Sequence, residues 1–564
     1  MYIIFNCILI LSGLIWIFTN LSFDEEYQMA LANRFLQGDE LFVHMWEPHQ
    51  TSVFVCAFFM AVYKALFKSY TGVAIFLHAI GIVFRGLVSF ALFMTLKKEL
   101  EKPLAFFAAA LFFMISPKDF AIPEYSNIQV WLSVFCFAFM LSYLRSEKAW
   151  YLVASAVALC LEVITYPSCI ITAVPAVFVI AAYASKGKKI KAVLVFGVTC
   201  FVVGAGVLLY LLIGYGFDTL LGFYQNMVSI DPSHNVSFAV KFLNYLKDVG
   251  RVLIMIAAAL AIALLAGFIL FKCFEKKASG KKKKLFAAFF VLSSFVVFLA
   301  GFLINILSAE NRCAYSIIFV YVIAVGFFLR VYLSKEEKRI FDCGCALSIA
   351  GFVATLMLTN LPFIVSGAYL VLAVALSALP IKRFAQTLET KSVEKCILIC
   401  GWAFICLLFL RCIYLRTSLT GREQLCSIVD TDMSLIRSGP AKGMITDDAA
   451  ARKQQISYEE FKAFVPKGSK IWIADGVVDT LGYLYDDYYV ATPSSISDPK
   501  YLPGYENYWM ENPDKTPDVI ICGAYNGELS YDLLSNEWFM YYLENVYKPA
   551  RYTDGVFWRY YFKE

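Results

Sequence analysis

Apolar runs of spanning length dominate this chain up to about residue 416. They fall near 3–20, 51–67, 72–96, 103–117, 127–144, 150–166, 168–184, 190–213, 249–272, 285–306, 313–333, 341–359, 363–380 and 395–415. Runs of this length suit helices that bridge the hydrocarbon core of a bilayer. A helix also satisfies its own backbone hydrogen bonds there, where water cannot. The pattern predicts an all-α polytopic membrane domain over residues 1–416. Polarity rises from about 417, and VPKGSKIWIADG, YYVATP, TPDVIICG and GVFWRYYFKE read as short strands closed by Gly, Pro and Asp, with a helix-like 530–547 between the last two. These predict a small α/β domain over 417–564.

The basic loops set the expected topology. Lys97-Lys98, the runs Lys186 to Lys191 and Lys335 to Arg339, the loop Lys272 to Lys284 with its seven lysines, and Lys382 to Lys395 all belong on the cytoplasmic side. They alternate correctly only if one early segment fails to cross. Segment 51–67 is short, follows a polar cluster and carries Lys64 and then Lys68, so it is predicted as a re-entrant or interfacial helix on the outer side. That leaves thirteen crossings in the cell membrane, with the N-terminus cytoplasmic and the C-terminal domain extracytoplasmic. The first apolar run lacks a basic n-region and a small-residue cleavage site and reads as an uncleaved span.

Composition agrees with this picture. Hydrophobic residues make up 60% of the chain and aromatics 17%, with mean hydropathy +0.66, which excludes an ordinary soluble domain. The net charge of +5 resides mainly in short loops and reports topology, not a nucleic-acid partner. Most of the sixteen cysteines lie in apolar runs and none forms a C-x-x-C pair, so no metal or redox motif is expected. In the tail, Cys426 and Cys522 fit a disulfide or two free thiols equally.

Ionisable residues concentrate in DEEYQMALANRFLQGDELFVHMWEPHQTS, residues 24–52, within the first outer loop 21–70. Tyr27, Leu31 and Phe35 recur at helical spacing with Ala32 and Leu36 beside them, predicting a helix over 24–37 lying on the membrane surface. Gly38 supplies its stop. Asp24 and Glu25 then sit at the helix N-terminus, where the dipole favours carboxylates. They serve either as a cap and solvated first turn or as chemistry. A carboxylate just outside the first span can deprotonate an acceptor beside a sugar carried on a lipid phosphate. Such a reaction also needs cations for the departing phosphate, and a second carboxylate could orient the base or bind a divalent cation.

Asp24-Glu25, Tyr27, Gly38-Asp39, Trp46-Glu47-Pro48-His49 and Arg85 in GIVFRG give the chain a layout similar to the GT-C glycosyltransferases. The likeness is to the polyprenyl-phosphate-dependent branch, which includes the lipid A aminoarabinose transferases and protein O-mannosyltransferases. The resemblance covers residues 1–185 at motif level and the remainder by span count. It implies inverting transfer from a polyprenyl-phosphate sugar donor to an extracytoplasmic acceptor, with Asp24 as base, Glu25 as its partner, and Glu47 and His49 lining the donor site. Where that family often carries Pro-Pro or Lys-Pro, this chain reads Pro48-His49-Gln50. A lysine expected to meet the donor phosphate is therefore not matched there. His44, Glu47, His49 and Asp24 also suggest a metal set, although the spacing fits no standard zinc pattern.

Other positions extend the reading. Arg85, inside a span, is expected to face the bundle interior, paired with Glu162 or touching the donor phosphate. Lys118, with Asp119 and Glu124 in SPKDFAIPEYSN, and Arg312 in SAENRCAY are further phosphate candidates. The outer loop 215–248, with Tyr224, Asp231 and His234, has the length of a lid. Asn20-Leu21-Ser22 and Asn235-Val236-Ser237 match the N-glycosylation pattern. A transporter or lipid flippase would instead place charges or broken helices near the midplane in two repeated halves, and no repeat is evident. A scaffold whose tail binds polysaccharide would leave Asp24 dispensable.

Overall fold

The computed structural model of the protein describes residues 2–19, 21–230, 237–274, 285–286, 288–296, 315–358, 365–387, 433–474, 480–485, 488–496, 501–525 and 527–563, with isolated positions between 282 and 410. The apolar runs fold as helices: α1 Tyr2–Phe18, α2 Phe23–Leu36, α3 Val53–Phe67, α4 Val73–Leu96, α5 Lys102–Met114, α6 Tyr125–Ser146 and α7 Ala149–Thr165. There follow α8 Ala173–Tyr183, α9 Lys189–Tyr215, α10 Phe217–Ile230, α11 Phe238–Phe274, α12 Tyr315–Leu329, α13 Lys335–Leu358 and α14 Val371–Gln386. By length and apolarity, six described helices can cross a membrane, or seven if the bent pair α1 and α2 is one span. The expected thirteen crossings exceed that number. Lys102–Met114, Ala149–Thr165 and Pro167–Tyr183 are apolar but shorter, and 285–306 and 395–415 lie partly or mostly outside the described residues, as does the domain boundary at 416.

Four of the five basic loops gather at one end of the bundle. Arg339 bonds Glu99 at 2.9 Å and the Leu144 carbonyl at 3.1 Å. Lys382 reaches Glu101 and Arg383 reaches Glu337, each at 2.5 Å. Lys188 pairs with Glu147, and Arg330 with Asp342. The fifth loop, 272–284, falls mostly outside the described residues.

Helix α3, with residues 50–52, passes the length test for a span, yet both its ends are tied to the C-terminal domain. Four residues before Thr51, Glu47 accepts from the Ser495 amide at 2.6 Å. Five residues after Phe67, the Gly72 amide donates to Gly439 at 3.0 Å and Ala74 to Pro440 at 3.1 Å. Both ends of this helix therefore meet the same domain.

Helix α2 departs from expectation. It turns 63° from α1 and does not lie on an open surface: Glu25 through Arg34 are all buried, between the bundle and the C-terminal domain. Asn33 donates to the Tyr483 carbonyl at 3.1 Å and Gln37 to Tyr488 at 2.7 Å. The start and stop are as predicted, with Ser22 and Glu25 forming a reciprocal capping box and Gly38 at φ +96°.

The C-terminal domain is a mixed sheet in the order β4-β3-β5-β8-β7, with β6 paired off β5. Its strands are β3 Lys470–Ile473, β4 Tyr489–Val490, β5 Val519–Tyr525, β6 Glu528–Leu529, β7 Arg551–Asp554 and β8 Trp558–Phe562. A separate hairpin-like pair, β1 Met433–Leu435 and β2 Ile445–Asp447, precedes them. The two-residue side-chain alternation of a strand sorts the core: Ile471, Ile473, Val519, Ile521 and Tyr560 pack with Phe461 of α15, Asp448–Phe464. Trp472, Ile520, Cys522 and Tyr561 face the other way, toward Tyr505, Trp509 and Phe539. The first of these cores runs on without a break into Tyr27, Met29 and Leu31 of α2.

Candidate active site

The site begins with a loop that α2 holds in place. Between α5 and α6 the chain passes through Lys118 at φ +51° and Asp119 at φ +58°, two left-handed residues in succession without glycine, which costs about 1–3 kcal/mol each. Surrounding bonds over-determine this turn. Trp16 Nε1 donates to the Asp119 carbonyl at 3.0 Å, and Asn127 Nδ2 donates to Phe120 at 3.1 Å and Ile122 at 2.8 Å. Glu25 Oε1 accepts from the amides of Ala121 at 2.7 Å and Ile122 at 3.2 Å. Gly81 of α4 lets the loop come this close, because a Cβ there would sit 1.8 Å from the Ala121 carbonyl oxygen. Gly81→Ala is therefore expected to displace the turn and abolish most activity. Unchanged activity with an unchanged Tm would show that the close approach is unnecessary.

The turn delivers Lys118 Nζ to 2.7 Å from Asp24 Oδ2, with side-chain exposures of 22% and 24%. Both groups thus remain accessible. Lys118 also lies 3.4 Å from the Tyr125 hydroxyl and over the rings of Phe120 and Tyr125. Beside it His49 stacks on Tyr125, with centroids 4.0 Å apart and 8° between planes, and on Tyr166 at 5.0 Å. Burial works against the Lys118 charge, but the adjoining Asp24 carboxylate outweighs it and raises the ammonium's pKa.

Glu124 caps α6, its carboxyl accepting from Ser126 at 2.8 Å and Asn127 at 2.6 Å. Burial pushes it up to about 8 despite those amides and Lys118. A carboxyl raised in this way is a stabilising neutral acid below its unfolded value near 4.3, and that contribution is lost as pH rises through about 8. The same proton loss adds negative charge beside Lys118. Anionic ligands are therefore expected to bind more weakly above about pH 8, with the effect flattened in Glu124→Gln. A pH profile of KM checks this.

The remaining candidates have other partners. Glu25 is fully buried and engaged by the capping box and the two loop amides, with His78 Nε2 at 3.6 Å. Its carboxylate thus ties the start of α2 to the loop. Arg85 holds the end of α5: it donates to the carbonyls of Phe112 at 2.8 Å, Phe113 at 2.9 Å and Ile115, and to Asn127 Oδ1 at 3.0 Å. The expected pairing with Glu162 is not formed, since no nitrogen or oxygen donor bonds either Glu162 oxygen. Arg312, Asp231 and His234 lie outside the described residues.

Glu47 belongs to an interdomain clamp centred on Arg34, a residue that the pattern of α2 did not single out. Fully buried, Arg34 bonds Asp39 at 2.8 Å, Glu47 at 3.2 Å, the Pro493 carbonyl at 3.2 Å and the His44 carbonyl at 2.7 Å. Lys515 from the C-terminal domain also pairs with Asp39. Burial would raise the Asp39 carboxyl, but Arg34 and Lys515 prevail and hold it below its ordinary value. Burial dominates at Glu47 and raises it, with Arg34 opposing. Glu47 and the His44 carbonyl thus share Arg34 while the His49 ring stacks on Tyr125, and among the described residues no group of three or more His, Cys, Asp or Glu could hold a metal ion.

No protein-family profile matches the chain, and neither does any curated protein. Among solved structures it is similar to the archaeal oligosaccharyltransferase AglB from Archaeoglobus fulgidus in complex with an inhibitory peptide and a dolichol-phosphate. The likeness has 11% identity and a TM-score of 0.44, covering 92% of this chain and 69% of that one. It is likewise similar to the Archaeoglobus fulgidus oligosaccharyltransferase in complex with Zn and sulfate, at 14% identity and a TM-score of 0.46, covering 92% and 68%. At these values no residue role transfers from one chain to the other.

Proposed function

We propose that this chain is a membrane glycosyltransferase of GT-C type that moves a sugar from a polyprenyl-phosphate donor to an acceptor on the extracytoplasmic face. The observation that carries the reading is the accessible Asp24–Lys118 pair, 2.7 Å apart, beside the His49, Tyr125 and Tyr166 rings. A base and a cation side by side suit a displacement in which a proton is taken from one partner and negative charge appears on the other. Asp24 accepts the proton of the acceptor hydroxyl or amine. The freed oxygen or nitrogen bonds to the anomeric carbon as the bond from that carbon to the phosphate oxygen breaks. The electron pair stays on the phosphate, and Lys118 moves from Asp24 to the new charge. Lys118 so fills the place for which Pro48-His49-Gln50 supplied no lysine.

With the basic end of the bundle cytoplasmic, as the charge pattern predicts, the pair and the C-terminal domain would lie at the outer leaflet. The test is reconstitution of the full chain with radiolabelled polyprenyl-phosphate sugars. Transfer by wild type is expected. Lys118→Met should raise the donor KM by about one to two powers of ten, the worth of a charge-assisted contact. Sugar uptake without transfer would replace this reading with a transporter.

A further inference from the structure

A second polar feature lies deeper in the bundle, one helical turn below Tyr125. It is a cavity between α6, α7, α13 and the segment 365–372, and its polar lining is Gln129, Ser133, Glu162, Ser348 and Tyr369. The narrow part has room for about one water-sized occupant. Glu162 is 0% exposed and Gln129 1%. Three oxygens here, both of Glu162 and Oε1 of Gln129, have no nitrogen or oxygen hydrogen-bond partner. The Gln129 orientation is set by its other end, where Nε2 donates to Thr355 Oγ1 at 3.3 Å and to the Gly351 carbonyl at 3.5 Å.

With Glu162 ionised, all three orphaned atoms are acceptors. The Cys169 thiol offers Glu162 one weak hydrogen bond, but no nitrogen or oxygen donor bonds either carboxyl oxygen. Buried polar atoms left without partners call for an occupant, and a set composed of acceptors calls for a donor or a cation. A single carboxylate balances a single positive charge, so the pair would be neutral at this depth. A divalent ion would need more charge and more oxygens. The Ser133 hydroxyl, one helical turn from Gln129, supplies a further oxygen at the wall.

We propose that Glu162, Gln129 and Ser133 form a binding site for a small monovalent cation of the sodium class. The ion would join α6 and α7 one turn below Tyr125 and one turn before Tyr166. It would therefore brace the helices that carry the aromatic wall of the site above. The inference does not depend on the transferase reading.

The test uses the full chain in detergent, with sodium chloride compared against choline chloride at equal ionic strength. The wild-type Tm is expected to rise by a few degrees with sodium and to saturate. Equilibrium dialysis with radioactive sodium should give about one ion per chain. Glu162→Gln, nearly isosteric and uncharged, is expected to keep its Tm in choline and lose the sodium response. Gln129→Ala should raise the half-saturating sodium concentration about tenfold or more. Equal wild-type Tm in both salts, with no bound sodium, would overturn the proposal and leave a proton or a water in the cavity. A full sodium response in Glu162→Gln would overturn it too. If that variant fails to fold, the dialysis of wild type and Gln129→Ala decides alone.

Discussion

Asp24→Asn is expected to lower the rate of sugar transfer by about 10²- to 10⁴-fold, the usual contribution of a positioned general base. The donor KM should change little, because Lys118 remains and the asparagine oxygen can still accept its hydrogen bond. The fold should survive as well. Asp24 is 24% exposed, and the groups that hold the turn are Glu25, Trp16 and Asn127. Steady-state kinetics on the reconstituted protein, with Tm measured in parallel, separate the two effects. Transfer that persists at the wild-type rate would remove Asp24 from the mechanism. A loss of rate matched by a fall in Tm would make the residue structural.

Arg34→Met should have the largest effect on stability. The guanidinium satisfies two carboxylates and two carbonyls in a buried seam. Its removal leaves Glu47 facing a methionine and Asp39 with Lys515 as its one cation there. Removing one partner of a buried ion pair costs about 3–5 kcal/mol. Because the seam joins α2 to the C-terminal domain, the expected result is a lower Tm together with faster proteolytic release of residues beyond 433. Acid should mimic part of this. The Asp39 carboxyl, held below its ordinary value, contributes stability above about pH 4 that is lost as pH falls through its folded value. An Arg34→Met protein as stable and protease-resistant as wild type would mean that the domain is docked by its apolar contacts alone.

The helices, four strands of the tail (β3, β4, β5 and β8) and the polar cluster at Asp24 were legible in the sequence because each depends on neighbours in the chain. Periodicity marks a helix, alternation marks a strand, and a carboxylate after an apolar run stands out. The roles of Glu47 and Arg85 were not legible, since their partners are distant. Glu47 meets Ser495, 448 positions on, and Arg85 meets Phe112 and Asn127, 27 and 42 positions on. Arg34 was not singled out by the helical pattern. The available signal was Asp39 five residues later across a glycine turn, a spacing that lets a helix-end arginine fold back. Lys118 was visible as a loop charge, but its delivery to Asp24 needs Gly81, which reads in sequence as one more small residue in an apolar run.

The hydrogen bond from the Trp46 amide to Pro493 limits every account of how this chain threads the bilayer. Two bonded residues occupy the same compartment, so the polypeptide between them must pass through the membrane an even number of times. Any helix removed from that stretch, or added to it, must be matched by another.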